Sequence, residues 1–191
     1  MSSYYLFKPK NINAIISFLY HLDEQEAKIL LHGINIYKNE KEALKYMNEK
    51  NLKSSEEGNQ LEKEILVNLK SVFQSYFSGK LREIYPAIQE LKVELDLKKK
   101  FSTDFSWAVM NEILNVKSGE TTSYYEIGNK IGTKAYRAIG NACKSNPIPL
   151  IVPCHRVLKK NGEIGGFMGK TDKVWETHLK KELLKLEGVK H

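Results

Sequence analysis

Cysteine is almost absent from this 191-residue chain, and the two that occur, Cys143 and Cys154, fall in its second half. Two thiols are too few for the disulfide framework of a secreted scaffold, and neither has the CxxC or histidine spacing of structural zinc. No metal and no cofactor are expected. No run approaches the roughly 20 apolar residues of a membrane span, and Met1 to Lys8 lacks a long apolar core behind a basic start. The expectation is a soluble, cytoplasmic chain with no membrane partner, long enough to bury a core without staples. An acidic excess is missing as well. The formal charge is +7, of which +2 lies in residues 1–100 and +5 in residues 101–191. That balance suits an anionic partner, although a basic surface also serves solubility alone.

Apolar and aromatic runs at Tyr4 to Lys8, Ala14 to Leu22 and Ala27 to Tyr37 predict an antiparallel set of strands, with a polar turn at Asp23-Glu24-Gln25. Glu42 to Glu49 reads as helix and Asn51 to Asn59 as a polar loop. From Leu61 to Phe77 apolar residues recur at helical spacing until Gly79, which predicts a long helix whose aromatic stripe packs in a core. Arg82 to Leu97 reads as a further strand, because Val93, Leu95 and Leu97 alternate with Glu94 and Asp96. Lys98-Lys99-Lys100 and Ser102-Thr103-Asp104 then form a charged and polar break. It is taken as the boundary between a domain at 1–100 and one at 101–191, and a surface loop within one fold gives the same pattern.

Asp104 is expected to cap a helix with Phe105, Val109, Ile113 and Val116 on its apolar face. Ser123-Tyr124-Tyr125-Glu126 has the spacing of a capping box, so another helix should start at Tyr124. Gly132-Thr133 reads as a tight turn with Thr133 capping a second helix from Lys134 to about Ser145, closed by Asn146-Pro147. Two short helices about a glycine turn have the form of a helix-turn-helix. Arg137, Gly140, Asn141 and Lys144 share one basic, nearly flat face of the second helix, with Ala138 and Ala142 beside it. Such a face approaches a phosphate backbone closely, or is merely solvated. Cys143 falls with Tyr136 and Ile139 on the apolar face and reads as structural.

The stretch Leu150-Ile151-Val152-Pro153-Cys154-His155-Arg156-Val157-Leu158 sets a thiol between a proline and a histidine inside apolar residues. A thiol with its ordinary pKa of about 8.5 is only slightly ionised at pH 7, so a working cysteine needs a base or a positive charge beside it. His155 is adjacent. On a helical projection of the last element, Val174 to Glu187, the carboxylate of Glu187 falls inside the apolar arc, as does Lys180. Cys154, His155 and Glu187 supply a nucleophile, a base and an orienting acid. A structural cysteine beside a surface histidine is the plainer alternative.

Pro153-Cys154-His155-Arg156-Val157 is preceded by Arg137-Ala138-Ile139-Gly140 and Asn146-Pro147-Ile148-Pro149. Together with Gly119 to Tyr124 and Glu187-Gly188, these motifs closely resemble the O6-alkylguanine-DNA alkyltransferases over about Phe105 to Gly188. The first half resembles that family weakly, mainly at Tyr76-Phe77-Ser78-Gly79-Lys80. The resemblance implies a ribonuclease H-like α/β N-terminal domain followed by a mainly α C-terminal domain with a winged-helix-like helix-turn-helix. It implies direct-reversal DNA repair, in which Cys154 takes the alkyl group from O6 of a guanine, or from O4 of a thymine, and keeps it. His155 resembles the base that removes the thiol proton through a water, Glu187 its orienting acid, and Asn146 the brace of the active-site turn. Tyr124 resembles the residue that protonates the departing guanine. Arg137 resembles the finger that fills the stack after the nucleotide is extruded. Ala138, Gly140, Asn141 and Lys144 then belong to the surface bound to duplex DNA through the minor groove, and Arg156, Val157, Phe167 and Met168 to substrate binding. A monomer is implied.

Asn141 stands where a small residue is common, Met168 where serine or alanine is, and Phe167 replaces a frequent tyrosine. Lys170 to Lys180 is longer than that family's spacing, so the last helix starts early or the extra residues form a lid. The competing readings are a binder that flags alkylated DNA without chemistry, disfavoured by the presence of Cys154, and a cysteine hydrolase with an incidental helix pair.

Overall fold

The computed structural model describes residues 2–96, 101, 103–168 and 174–190. The chain divides into two compact units, Met1–Leu97 and Lys98–His191.

In the first unit β1 (Ser3–Phe7), β2 (Ile15–Asp23) and β3 (Lys28–Tyr37) form an antiparallel meander. Asp23 Oδ1 accepts from the backbone N–H groups of Gln25 and Glu26 and fixes the β2–β3 turn. The sheet is not wholly antiparallel, as the three runs alone suggested. Two short strands, β4 (Lys53–Ser54) and β5 (Val93–Leu95), add at its edges in the order β4-β1-β2-β3-β5, and both pair in parallel. Each is reached through helix, α1 (Glu40–Glu49) before β4 and α2 (Gln60–Phe77) with α3 (Ile84–Gln89) before β5. Helical crossovers are what permit parallel neighbours. The expected strand over Arg82 to Leu97 is therefore mostly helix. Ile84 and Ile88 are buried one turn apart and Pro86 sits in the first turn of α3, where it is tolerated. The expected polar loop at Asn51 to Asn59 contains β4 and a 3₁₀ turn at Ser55–Glu57.

Helix α2 lays Ile65, Leu66, Leu69, Phe73, Tyr76 and Phe77 into the core. The Phe73 ring lies 4.8 Å from that of Phe18, so the aromatic stripe is packing. Inside, the Tyr20 hydroxyl donates to Glu62 Oε1 at 2.5 Å, which satisfies both buried groups.

The second unit holds α4 (Asp104–Leu114), β6 (Thr122–Ser123), α5 (Tyr124–Lys130), α6 (Tyr136–Lys144), β7 (Val157–Leu158) and α7 (Val174–Leu186). Thr103, not Asp104, caps α4: its hydroxyl accepts from Ser106 N, while Asp104 already lies in the helix and complements its dipole. The capping box at Ser123 is complete, with Glu126 N donating to Ser123 Oγ and Ser123 N to Glu126 Oε2. Thr133 does not cap α6. Its hydroxyl takes Ala135 N in a local turn, and the helix begins only at Tyr136. Gly132 has φ +73°, and a Cβ on Gly128 would come within 2.7 Å of the Tyr136 ring, so these two glycines permit the tight α5–α6 junction. Ala142, expected beside the open face of α6, is buried.

The feature that positions the site is the smallest sheet. β6 and β7 pair in parallel, Thr122 with Val157 and Ser123 with Leu158. The residue that opens α5 is thereby held beside the turn that precedes β7.

Candidate active site

That turn is built by proline and asparagine. Pro153 adopts φ −81° and ψ 63°, and Cys154 N donates back to Val152 O at 2.8 Å. This is an inverse γ-turn, whose φ the pyrrolidine ring supplies in advance. A single 3₁₀ turn, Cys154–Arg156, follows. Asn146 braces the preceding loop from within: Nδ2 donates to Val152 O at 2.8 Å and to Cys154 Sγ at 3.3 Å, while Oδ1 accepts from Ile148 N. Leu150 is buried with φ +77°, a left-handed conformation that costs a non-glycine residue about 1–3 kcal/mol. Held there, the turn has little freedom to carry the thiol elsewhere.

Cys154 is 5% exposed, and His155 and Arg156 beside it are buried. Glu187, just past the end of α7, is 3% exposed and reaches both. Its Oε1 lies 3.0 Å from His155 Nε2, and Arg156 donates from Nε to Oε2 at 2.9 Å and from Nη2 to Oε1 at 2.7 Å. Arg156 Nη1 also donates to Val116 O at 2.6 Å. Burial alone would raise the Glu187 pKa, but hydrogen bonds and positive charge from His155 and Arg156 outweigh it and hold the carboxyl down at about 2. Burial pushes His155 the other way, below its ordinary value. His155 is thus neutral at pH 7, and the permanent charge of Arg156 keeps Glu187 ionised. Because Nε2 faces the carboxylate, Nδ1 is the basic nitrogen of the ring.

Burial raises the Cys154 thiol above its usual pKa, opposed by the Asn146 hydrogen bond and by the charge of Lys180. Lys180, on α7, is fully buried and donates from Nζ to Val157 O at 2.6 Å. Burial lowers its pKa to about 8, so at pH 7 it remains a cation beside the thiol.

A cavity of about 460 Å³ opens over Cys154, lined by Tyr124, Arg137, Gly140, Asn141, Cys143, Lys144, Gly166, Phe167 and Met168. Tyr124, the first residue of α5, is delivered there by the β6–β7 pair. Its pKa is pushed up to about 12, by burial first and then by the two thiols, so its hydroxyl keeps its proton. Arg137, Asn141 and Lys144 are exposed on α6 at the cavity rim. Phe167 is buried with its ring edge-on to His155, at 6.4 Å and 81°. Met168 holds φ +49°.

The structure thus brings most of the expected residues together and moves some. Arg156 is not at a substrate surface: its guanidinium is consumed by Glu187 and Val116. Val157 is fully buried and meets Lys180 through its carbonyl. Ala138 is half-buried and outside the lining. Cys143 is buried, as expected, and its side of α6 also borders the cavity. Gly166 lines the cavity with Phe167 and Met168, on the glycine-rich loop that the sequence offers as a pocket wall; Lys180 had been given no role. The signal for Lys180 is its place in the same apolar arc as Glu187. Of the long segment Lys170 to Lys180, residues 170–173 lie outside the described residues, and α7 begins at Val174.

Known proteins match the chain in both sequence and fold. The family model for the 6-O-methylguanine DNA methyltransferase DNA-binding domain matches residues 104–189. A methylated-DNA–protein-cysteine methyltransferase of Mycobacterium bovis is 41% identical over 114 residues, which are 59% of this chain and 59% of that protein. The alignment therefore spans under two thirds of that relative. A probable methylated-DNA–protein-cysteine methyltransferase of Acanthamoeba polyphaga mimivirus is 39% identical over 116 residues, 60% of this chain and 72% of that one. The crystal structure of the Mycobacterium tuberculosis O6-methylguanine methyltransferase superposes with a TM-score of 0.67 at 26% identity, covering 98% of this chain and 93% of the other. With a mixed sheet and helices in its first unit, an α-rich second unit, and these matches over both sequence and fold, the chain belongs to the O6-methylguanine-DNA methyltransferase family.

Proposed function

We propose that this chain repairs alkylated DNA directly, by a single transfer of the alkyl group from O6 of guanine, and from O4 of thymine, to Cys154. The observation that carries the reading is a buried thiol at the cavity floor. It is braced by Asn146 and sits beside a neutral histidine whose far nitrogen is fixed by an ionised glutamate. In the reaction His155 Nδ1 takes the thiol proton through a water. The thiolate attacks the alkyl carbon, the C–O6 bond breaks, and a thioether forms. Lys180 lowers the cost of the transient thiolate, and Tyr124 gives its proton to the guanine as it leaves. A thioether C–S bond is stable to water at neutral pH, so each molecule acts once.

A base stacked in a duplex cannot reach a thiol that is 5% exposed, so the nucleotide must be flipped out. Arg137 enters the stack in its place. The small Gly140, with Asn141 and Lys144, carries α6 along the minor groove. In this reading the first unit is ribonuclease H-like, the α5–α6 pair with β6 and β7 is a winged helix-turn-helix, and the protein acts as a cytoplasmic monomer.

Incubation with duplex DNA containing O6-methylguanine, followed by mass analysis of the intact protein and its peptides, tests the reading. The expected result is one added methyl group, on the Cys154 peptide, at no more than one equivalent. Folded protein that binds the lesion duplex and gains no mass would instead make it a non-catalytic reader of alkylated DNA.

A further inference from the structure

The chain has only two cysteines, and both border one cavity. The transfer chemistry uses Cys154 and leaves Cys143 without a part. We propose that Cys143 is the resolving thiol of the acceptor site, closing a disulfide with Cys154 when a hydroperoxide oxidises the pocket.

Three observations support the pairing. Asn146 ties the two residues together, its backbone N–H reaching Cys143 O at 3.4 Å and its side chain reaching Cys154 Sγ at 3.3 Å. The thiols lie near enough that ionisation of Cys154 raises the Cys143 pKa, and the Lys180 ammonium acts on both in the opposite sense. Finally, Cys143 lies in the last turn of α6 and Cys154 follows the braced turn, eleven positions on, so closing the ring fixes a loop that the fold has already ordered.

The chemistry balances without further partners. The Cys154 thiolate attacks the peroxide O–O bond, giving a sulfenic acid and releasing an alcohol or water. The Cys143 sulfur then attacks the sulfenic sulfur, and the departing hydroxide takes the Cys143 proton as a second water. Two thiols and one hydroperoxide become one disulfide. A single-use acceptor is thereby parked in a form that a thiol reductant restores, rather than carried on to sulfinic acid, which such reductants do not reverse. The proposal rests on the alkyl-transfer reading only for that consequence, since the bond itself is read by mass.

The test treats the full chain with tert-butyl hydroperoxide, maps its peptides without reduction, and then adds dithiothreitol before measuring methyl transfer. A linked Cys143–Cys154 peptide is expected, with transfer lost on oxidation and returned to its starting level by the reductant. In Cys143→Ser and Cys143→Ala, each compared with its own unoxidised activity, Cys154 should proceed to sulfinic acid and transfer should not return. Wild-type protein in which Cys154 stays unreacted or becomes sulfinic, with no linked peptide, overturns the proposal. A linked peptide in protein that never accepts a methyl group would instead sink the alkyl-transfer reading and leave this one standing.

Discussion

Replacing Glu187 by glutamine keeps the shape of the side chain and removes its charge, which isolates what the carboxylate contributes. The folded pKa of about 2 against about 4.3 in an unfolded chain corresponds to about 3 kcal/mol at neutral pH, at about 1.4 kcal/mol per unit. That figure agrees with the about 3–5 kcal/mol lost when one member of a buried ion pair is removed and the other charge is stranded. Here the stranded charge is Arg156, 2% exposed. Because the folded pKa is depressed, the contribution is complete above about pH 5 and is lost as pH falls toward 2. Urea unfolding followed by circular dichroism should therefore show Glu187→Gln less stable than wild type by about 3 kcal/mol at pH 7, with the gap narrowing as pH drops from 5 to 3. The proposed transfer should slow too, since an amide does not favour an imidazolium at His155 as the carboxylate does. A gap below about 1 kcal/mol, or one equal at pH 7 and pH 3, would refute the assignment of Arg156 and Glu187 as a working buried pair.

Lys180→Met removes the buried cation at similar volume. The Cys154 thiol should become harder to ionise, since the Lys180 charge opposes the effect of burial there, so the pH profile of its reaction with iodoacetamide should move upward. An unmoved profile would make Lys180 a packing residue. Cys154→Ala should bind lesion duplex as wild type does while accepting no methyl group, whereas Arg137→Ala should keep the thiol chemistry and weaken the flipped complex. Equal loss of binding by both variants in a gel-shift titration would show that the roles are not divided in this way.

What the sequence disclosed followed from the range of the interactions involved. The β1–β3 meander, α2 and the capping box at Ser123 are specified by residues within a few positions of one another, and local pattern found them. The edge strands β4 and β5 are two and three residues long, and their pairing is decided across the sheet. The alternation at Val93, Leu95 and Leu97 was therefore extended too far back, over a helix marked only by Ile84 and Ile88. At the site, motif and order located Cys154, His155, Asn146 and Tyr124. Arg156 was misplaced because an arginine beside a reactive thiol invites a role toward substrate, while its partners Val116 and Glu187 lie 40 and 31 positions away. Lys180 stood in the apolar arc beside Glu187, but its partner is the backbone carbonyl of Val157, which a side-chain pattern cannot name.

Arg156 joins three distant stretches of chain at the rear of the cavity, and this sets how the protein can vary over evolutionary time. A change at Arg156 or Glu187 breaks a buried ion pair and so disturbs folding first, whereas Val116 gives only its backbone carbonyl, which any residue supplies. The front of the cavity is different. Asn141 is exposed on a helix rim, and Gly166 and Met168 lie on a loop, so substitutions there leave that buried tie untouched. New adduct preferences, whether arising in a lineage or introduced by an engineer, should accumulate at those three positions.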